Sequence, residues 1–178
     1  MYALDTNLLV YAHNKASPFH FQAEAFIEQV MNERDNQGRL LVCIPSQVLM
    51  EFLNTVTWHR LEAPLPLTDA TQIVQDYLDT EVTILYPQPT QLNTLLDLLK
   101  TATTRRNIFD VALAATLKDH GVLGLYTAKT KDFEEHIKSY GESIDSKLCY
   151  PCPECKVSIG AFVGTGALHN RLPLSSTR

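Results

Sequence analysis

The sequence predicts an α/β domain whose parallel sheet is covered by helices on both faces. Three observations carry that expectation. The runs YAL, LLVCI and GVLGLYT are apolar without polar alternation, as strands buried on both faces are. Stretches with apolar residues at helical spacing separate them. Strand-like and helical segments then alternate along the chain, with no internal repeat of useful length, which is the order a parallel sheet requires.

The elements follow in turn. Residues 2–5 form a short buried strand. Ser17-Pro18 reads as an N-cap followed by proline at the first helical position, opening an amphipathic helix to about Glu33. Asn36-Gln37-Gly38 is a turn, and LLVCI (40–44) a second strand. Pro45-Ser46 starts a helix, QVLMEFLNTVTWH, which the proline-marked loop LEAPLPLT ends. TDATQIVQDYLD is helical, and VTILYP (82–87) is a third strand or an extended connection. Thr90 to Thr101 is helical, with Leu92, Leu95, Leu96 and Leu99 on one face. The polar break TTRRN precedes a helix from about Ile108 to His120, GVLGLYT (121–127) is a strand, and KDFEEHIK a last short helix. From about Gly141 the chain has no sustained period and many turn-forming residues. Residues 1–140 are thus expected to form one domain and 141–178 a partly disordered appendage.

Composition narrows the function. The chain has 178 residues, 45% hydrophobic and 20% charged, the balance of a soluble globular protein. Its net charge of −5 excludes a broad basic field, so any attraction for nucleic acid is local. No stretch approaches the roughly 18 apolar residues of a membrane span. Asp5 and Asn7 interrupt what would be the apolar core of a signal peptide. Cys43 stands alone and the other three cysteines cluster near the C-terminus, which suits a cytoplasmic protein better than a disulfide scaffold.

Most acids lie in polar runs, such as Glu33-Arg34-Asp35 and Glu134-Glu135, and belong to a solvated face. Four stand in other company. Asp5 ends the first strand, Glu51 interrupts VLMEFL, Asp110 interrupts IFDVALAA, and Asp132 follows the last core strand in TKDF. Each has a simpler reading alone: a cap or backbone ligand for Asp5, a half-exposed helical residue for Glu51, a helix-start acid for Asp132. Asp110 alone would serve the helix N-terminus and Arg105 or Arg106. Together they share one property. Ligands of open α/β sheets bind beyond the carboxyl ends of the strands, and all four acids fall at or near that edge. Carboxylates gathered there repel and raise at least one pKa. A hard divalent cation such as Mg²⁺ removes the conflict, since it takes oxygen ligands and keeps several waters. Asp5 is therefore read as a metal ligand.

The ordered set Y-A-L-D-T-N-L-L-V-Y-A, V-L-M-E-F, R-N-I-F-D-V-A-L-A-A and L-Y-T-A-K-T-K-D-F resembles the PIN-domain nucleases, and among them the VapC-type toxins of bacterial toxin–antitoxin pairs. The resemblance covers roughly residues 1 to 140. It implies a three-layer α/β/α domain with a central parallel sheet, Mg²⁺- or Mn²⁺-dependent cleavage of RNA, a homodimer, and a cognate antitoxin that blocks the site. Asp5, Glu51 and Asp110 match the family's three best-defined acids, and Asp132 the more variable fourth. Thr127 matches the hydroxyl residue after the last core strand, while Thr6 and Asn7 match the polar pair that supports the first acid. The implied chemistry is in-line attack of water on a phosphodiester, with one or two ions; two would sit about 3.5–4 Å apart. Arg105 and Arg106 are candidates for phosphate contacts.

The sequence departs from the family in two places. Lys129 stands where Asn or Asp is usual, so that it neutralises Asp132, contacts a phosphate or displaces a second metal. The short apolar strand that usually closes the domain is replaced by ESIDSKLCYPCPEC. Cys149, Cys152 and Cys155 have the two-residue spacing of zinc knuckles, with only His169 nearby as a fourth ligand. His13, His20, His59 and His120 lack metal-ligand spacing. Two other readings stay open: a catalytically silent partner-binding module, which Lys129 favours and the four acids disfavour, and a phosphoaccepting domain, which the Thr-Asn after Asp5 disfavours.

Overall fold

The computed structural model describes residues 1–100 and 108–128, together with the backbone of a strand at 158–161. In chain order the elements are β1 (Tyr2–Leu4), α1 (Thr6–His13), α2 (His20–Val30), β2 (Val42–Pro45), α3 (Ser46–Val56), α4 (Leu67–Leu78), β3 (Thr83–Leu85), α5 (Gln91–Leu99), α6 (Ile108–Asp119), β4 (Gly124–Thr127) and β5 (Ser158–Ala161). The sheet order is β3-β2-β1-β4-β5, and the first four strands are parallel. Tyr2 pairs with Val42 on one side and with Gly124 on the other, so β1 lies at the centre.

That order follows from how parallel strands connect. The chain steps outward from β1 to β2 to β3, then returns past β1 to place β4 on its far side. Right-handed crossovers put the helices of the outward and return steps on opposite faces. The α1–α4 set and the α5–α6 pair thus form the outer layers of the α/β/α sandwich. Leu4, Leu9, Ile44, Val48, Phe52 and Val56 are wholly buried in the main core, and Leu98, Val111 and Ala115 form a smaller one between α5 and α6.

Most elements lie where periodicity put them, within a few residues. VTILYP contains a strand, β3. The exception is α1, for which the sequence predicted no helix. Five of its eight residues are buried, so TNLLVYAH shows no polar face and reads as a continuation of the apolar run. The end of α6 is set by Gly121, whose φ of +61° suits the left-handed position beyond a helix. Val122 N–H reaches Leu117 O and Gly121 N–H reaches Lys118 O, the paired bonds of a Schellman ending that turns the chain straight into β4. β5 runs antiparallel to β4. It falls within 141–178, where short SIGA shows neither alternation nor a long apolar run. The expected KDFEEHIK helix lies outside the described residues. No helix among the described residues is long and apolar enough to cross a membrane.

Candidate active site

The return step from β3 to β4 reverses the winding of the sheet, and the reversal lies between β1 and β4. Sheets of this kind bind ligands there, beyond the carboxyl ends of the strands. Asp5 is the first residue after β1 and Thr127 the last of β4. Asp5 N–H bonds Tyr126 O at 3.0 Å, which extends the strand pairing up to the carboxylate.

Asp5 occupies the N-cap position of α1, yet its side chain makes no cap hydrogen bond. It turns across the sheet instead. Its Oδ2 accepts from Thr127 Oγ1 and from Asn7 Nδ2, both at 2.5 Å. Asn7 Nδ2 also donates to Thr127 Oγ1 at 2.9 Å, and Asn7 Oδ1 accepts the Ala128 N–H at 3.0 Å. Asn7 therefore ties β1, α1 and the end of β4 into one clasp. Asn7 Nδ2 and Thr127 Oγ1 both donate to Asp5 at Oδ2, so neither occupies Oδ1.

Only 6% of Asp5 is exposed. Burial pushes its pKa above the usual carboxylate value. The Thr127 hydroxyl and the Thr6 N–H pull the other way, while the charges of Asp110 and Glu51 push it up further. Asp110 and Glu51 thus both act electrostatically on Asp5.

Glu51 is half-buried on α3 and held at both oxygens. Oε2 accepts from Thr6 Oγ1 at 3.0 Å, and Oε1 from Gln47 Nε2 at 2.7 Å. Thr6 therefore divides its groups: its N–H serves Asp5 and its hydroxyl serves Glu51. The sequence placed Thr6 with Asp5 alone, because nothing local announces a partner 45 residues away. Asp110 stands in the first turn of α6, half-buried. Gln47 was not anticipated. It donates to the carbonyl of Phe109, beside Asp110, at 2.9 Å, and its one legible signal was the four-residue spacing to Glu51.

Among the described residues, no three His, Cys, Asp or Glu side chains are drawn together as a ready metal cage. The donor set nonetheless fits a hard cation. Mg²⁺ is commonly held by one or two carboxylates and keeps several waters, so it requires no closed cage. A buried, electrostatically strained Asp5 with Oδ1 left by both Asn7 and Thr127 supplies such a ligand, with the charges of Asp110 and Glu51 near enough to raise its pKa.

Other candidates separate cleanly. Cys43 lies in β2, its thiol pushed up to about 12 by burial and donating to Tyr2 O at 3.3 Å, so it is neither a nucleophile nor a metal-ready thiolate at neutral pH. His13 shares a hydrogen bond with the Tyr77 hydroxyl at 3.0 Å, and His120 meets Tyr86 O at 2.8 Å, so each is engaged in a structural contact. Asp132, Lys129, Arg105, Arg106, Cys149, Cys152, Cys155 and His169 lie outside the described residues.

No family model matches the chain. It is similar to ribonuclease VapC24 of Mycobacterium tuberculosis, 31% identical over 141 residues that cover 76% of this chain and 90% of the relative. Its fold is similar to that of M. tuberculosis VapC20, a sarcin-ricin loop cleaving toxin, with a TM-score of 0.58 at 13% identity over 80% of this chain and 97% of the other. A toxin–antitoxin complex from Klebsiella pneumoniae gives 0.51 at 17% identity, over 75% and 90%.

Proposed function

The chain belongs to the VapC ribonuclease family, and from that premise we propose that it is a metal-dependent endoribonuclease, the toxin of a toxin–antitoxin pair. One observation carries the reading beyond membership. Asp5 is buried at the winding reversal of the sheet, its pKa raised by burial and further by the charges of Asp110 and Glu51, and clasped at Oδ2 by Asn7 and Thr127. A buried acid under the charge of two others raises the energy of the empty site and favours a cation-bound one.

Asp5, Asp110 and Glu51 would hold Mg²⁺, or Mn²⁺ in its place, with Asp132 as a fourth acid. Held there, such an ion would supply Lewis acidity toward the scissile phosphate and a more acidic bound water. The chain does the rest. Asn7 and Thr127 fix the direction of the Asp5 carboxylate, and Thr6 and Gln47 fix Glu51. Arg105, Arg106 and Lys129 are assigned to substrate phosphates, which gives local attraction for RNA in a chain of net charge −5. No side-chain nucleophile is called for, in keeping with the inert Cys43. The reading extends to a cognate antitoxin that covers the site, a homodimer, and action in the cytoplasm.

The test is incubation of purified protein with mixed cellular RNA in Mg²⁺, in Mn²⁺ and in chelator, beside Asp5→Asn and Asp132→Asn. The expected result is discrete fragments that require metal, that fall at least about 100-fold in Asp5→Asn, beyond what loss of a supporting partner alone costs, and less in Asp132→Asn. Undiminished cleavage by folded Asp5→Asn would refute the assignment. Absence of cleavage by folded wild type would favour the silent partner-binding module.

A further inference from the structure

Gln47 makes two hydrogen bonds with one amide. Its Nε2 donates to Glu51 Oε1 at 2.7 Å, one turn along α3, and to the Phe109 carbonyl at 2.9 Å, in the first turn of α6. Both partners are acceptors, so the NH₂ end must face them, and each of its two hydrogens is used. The first bond alone is ordinary. Gln72–Asp76 and Gln75–Asp79 make the same four-residue pair on α4, each at 2.8 Å. The second bond leaves the helix and crosses 62 residues to the neighbour of Asp110.

The helices it joins belong to opposite layers of the sandwich, and each brings one acid to the sheet edge. Glu51 and Asp110 each add their charge to the field at Asp5. A neutral double donor ties the two helices that carry them without adding a charge that would compete with a cation. We propose that Gln47 is a positioning residue, which sets the Glu51 carboxylate and the start of α6 in the relation that metal binding needs. The inference rests on the metal-dependent reading above and assigns within it the residue that joins α3 to α6.

The test uses the whole chain. Gln47→Met keeps the length, lack of branching and helix propensity of the side chain but has no donor. Gln72→Met is the matched control, losing an in-helix pair with no second bond. Mn²⁺ affinity is measured by calorimetric titration, the apo melting temperature by circular dichroism, and RNA cleavage across a Mn²⁺ series. Loss of a partner that orients a metal ligand weakens binding by about 10- to 100-fold. Gln47→Met should therefore bind Mn²⁺ at least about 10-fold more weakly. Its apo melting temperature should fall only by the few degrees that two partly exposed hydrogen bonds are worth, its cleavage should recover in excess Mn²⁺, and the Mn²⁺ affinity of Gln72→Met should be unchanged.

Unchanged Mn²⁺ affinity in Gln47→Met would overturn the proposal. So would a loss matched by a fall in apo stability and not recovered by excess Mn²⁺, since that marks a structural role. Wild type that takes up no Mn²⁺ would overturn both this proposal and the metal-dependent reading. Wild type that binds Mn²⁺ but cleaves no RNA would overturn the nuclease reading alone, with the Gln47 titration still decisive.

Discussion

Asp5 carries a stability cost whose sign can be worked out. Its folded pKa lies above the ordinary 3.8, chiefly because the carboxylate is buried. Between those two values the native state binds more protons than the unfolded chain, so stability falls as pH rises from about 3.8 through the folded pKa, and the loss persists at neutral pH. Asp5→Asn removes the charge and keeps a carbonyl able to accept from Thr127. In chelator at neutral pH it should melt above wild type, and the gap should close as pH falls toward 3.8. Melting curves across that range decide; a variant less stable than wild type at neutral pH would contradict the strain assigned to Asp5. This site residue was legible because a charge closing an apolar run needs a reason. Thr6, Gln47 and the Asn7 clasp were less so. Their partners are set by the folded sheet: Thr127 lies 120 residues from Asn7, and no local pattern encodes that pairing.

At the scale of elements, legibility tracks amphipathicity. α3 was readable from QVLMEFLNTV because one face is buried and the other exposed, whereas α1 is buried on most sides and shows no such stripe. β5 was invisible for the opposite reason, being four residues whose place depends on an edge left by β4. The α5–α6 pair makes an element-level prediction, because α6 brings Asp110 to the site. Asp119 near the end of α6 accepts from Thr90 Oγ1 at 2.8 Å and Thr94 Oγ1 at 2.6 Å, one hydroxyl to each carboxylate oxygen. Gln91 adds a bond to Thr116 at 2.8 Å. Asp119→Ala deletes both contacts to the carboxylate and should destabilise the protein by about 1–2 kcal/mol, since such bonds are partly exposed and charge-assisted. Urea unfolding should show a lower midpoint with an unchanged slope. An unaltered midpoint would mean that the small Leu98–Val111–Ala115 core holds the two helices unaided.

For the whole molecule, alternation of elements foretold a parallel sheet, but the strand order did not follow from it. The order matters most to the site, because the winding reversal between β1 and β4 is what brings Asp5 against Thr127. The candidate ligands come from β1's end, α3 and α6, so the unfolded chain has no site, and a cation that binds there must stabilise the fold as a whole. The gain follows RT ln(1 + [L]/Kd), about 2.7 kcal/mol at one hundred times Kd. Mn²⁺ should therefore raise the melting temperature of wild type above its value in chelator. Asp5→Asn and Asp110→Asn should lose most of that increment, although Asp5→Asn starts from a higher apo value. Phe52→Ala supplies the contrast. Phe52 is wholly buried in the main core, and its truncation should cost about 3–5 kcal/mol with or without ion. If that variant retains its fold, its Mn²⁺ increment should survive, because Phe52 is a buried core residue that supplies no donor to the ion. Equal increments in wild type and Asp5→Asn would place the stabilising cation elsewhere and remove Asp5 as its ligand; an increment lost only in the acid variants would tie the stability of the whole sandwich to the charge at its centre.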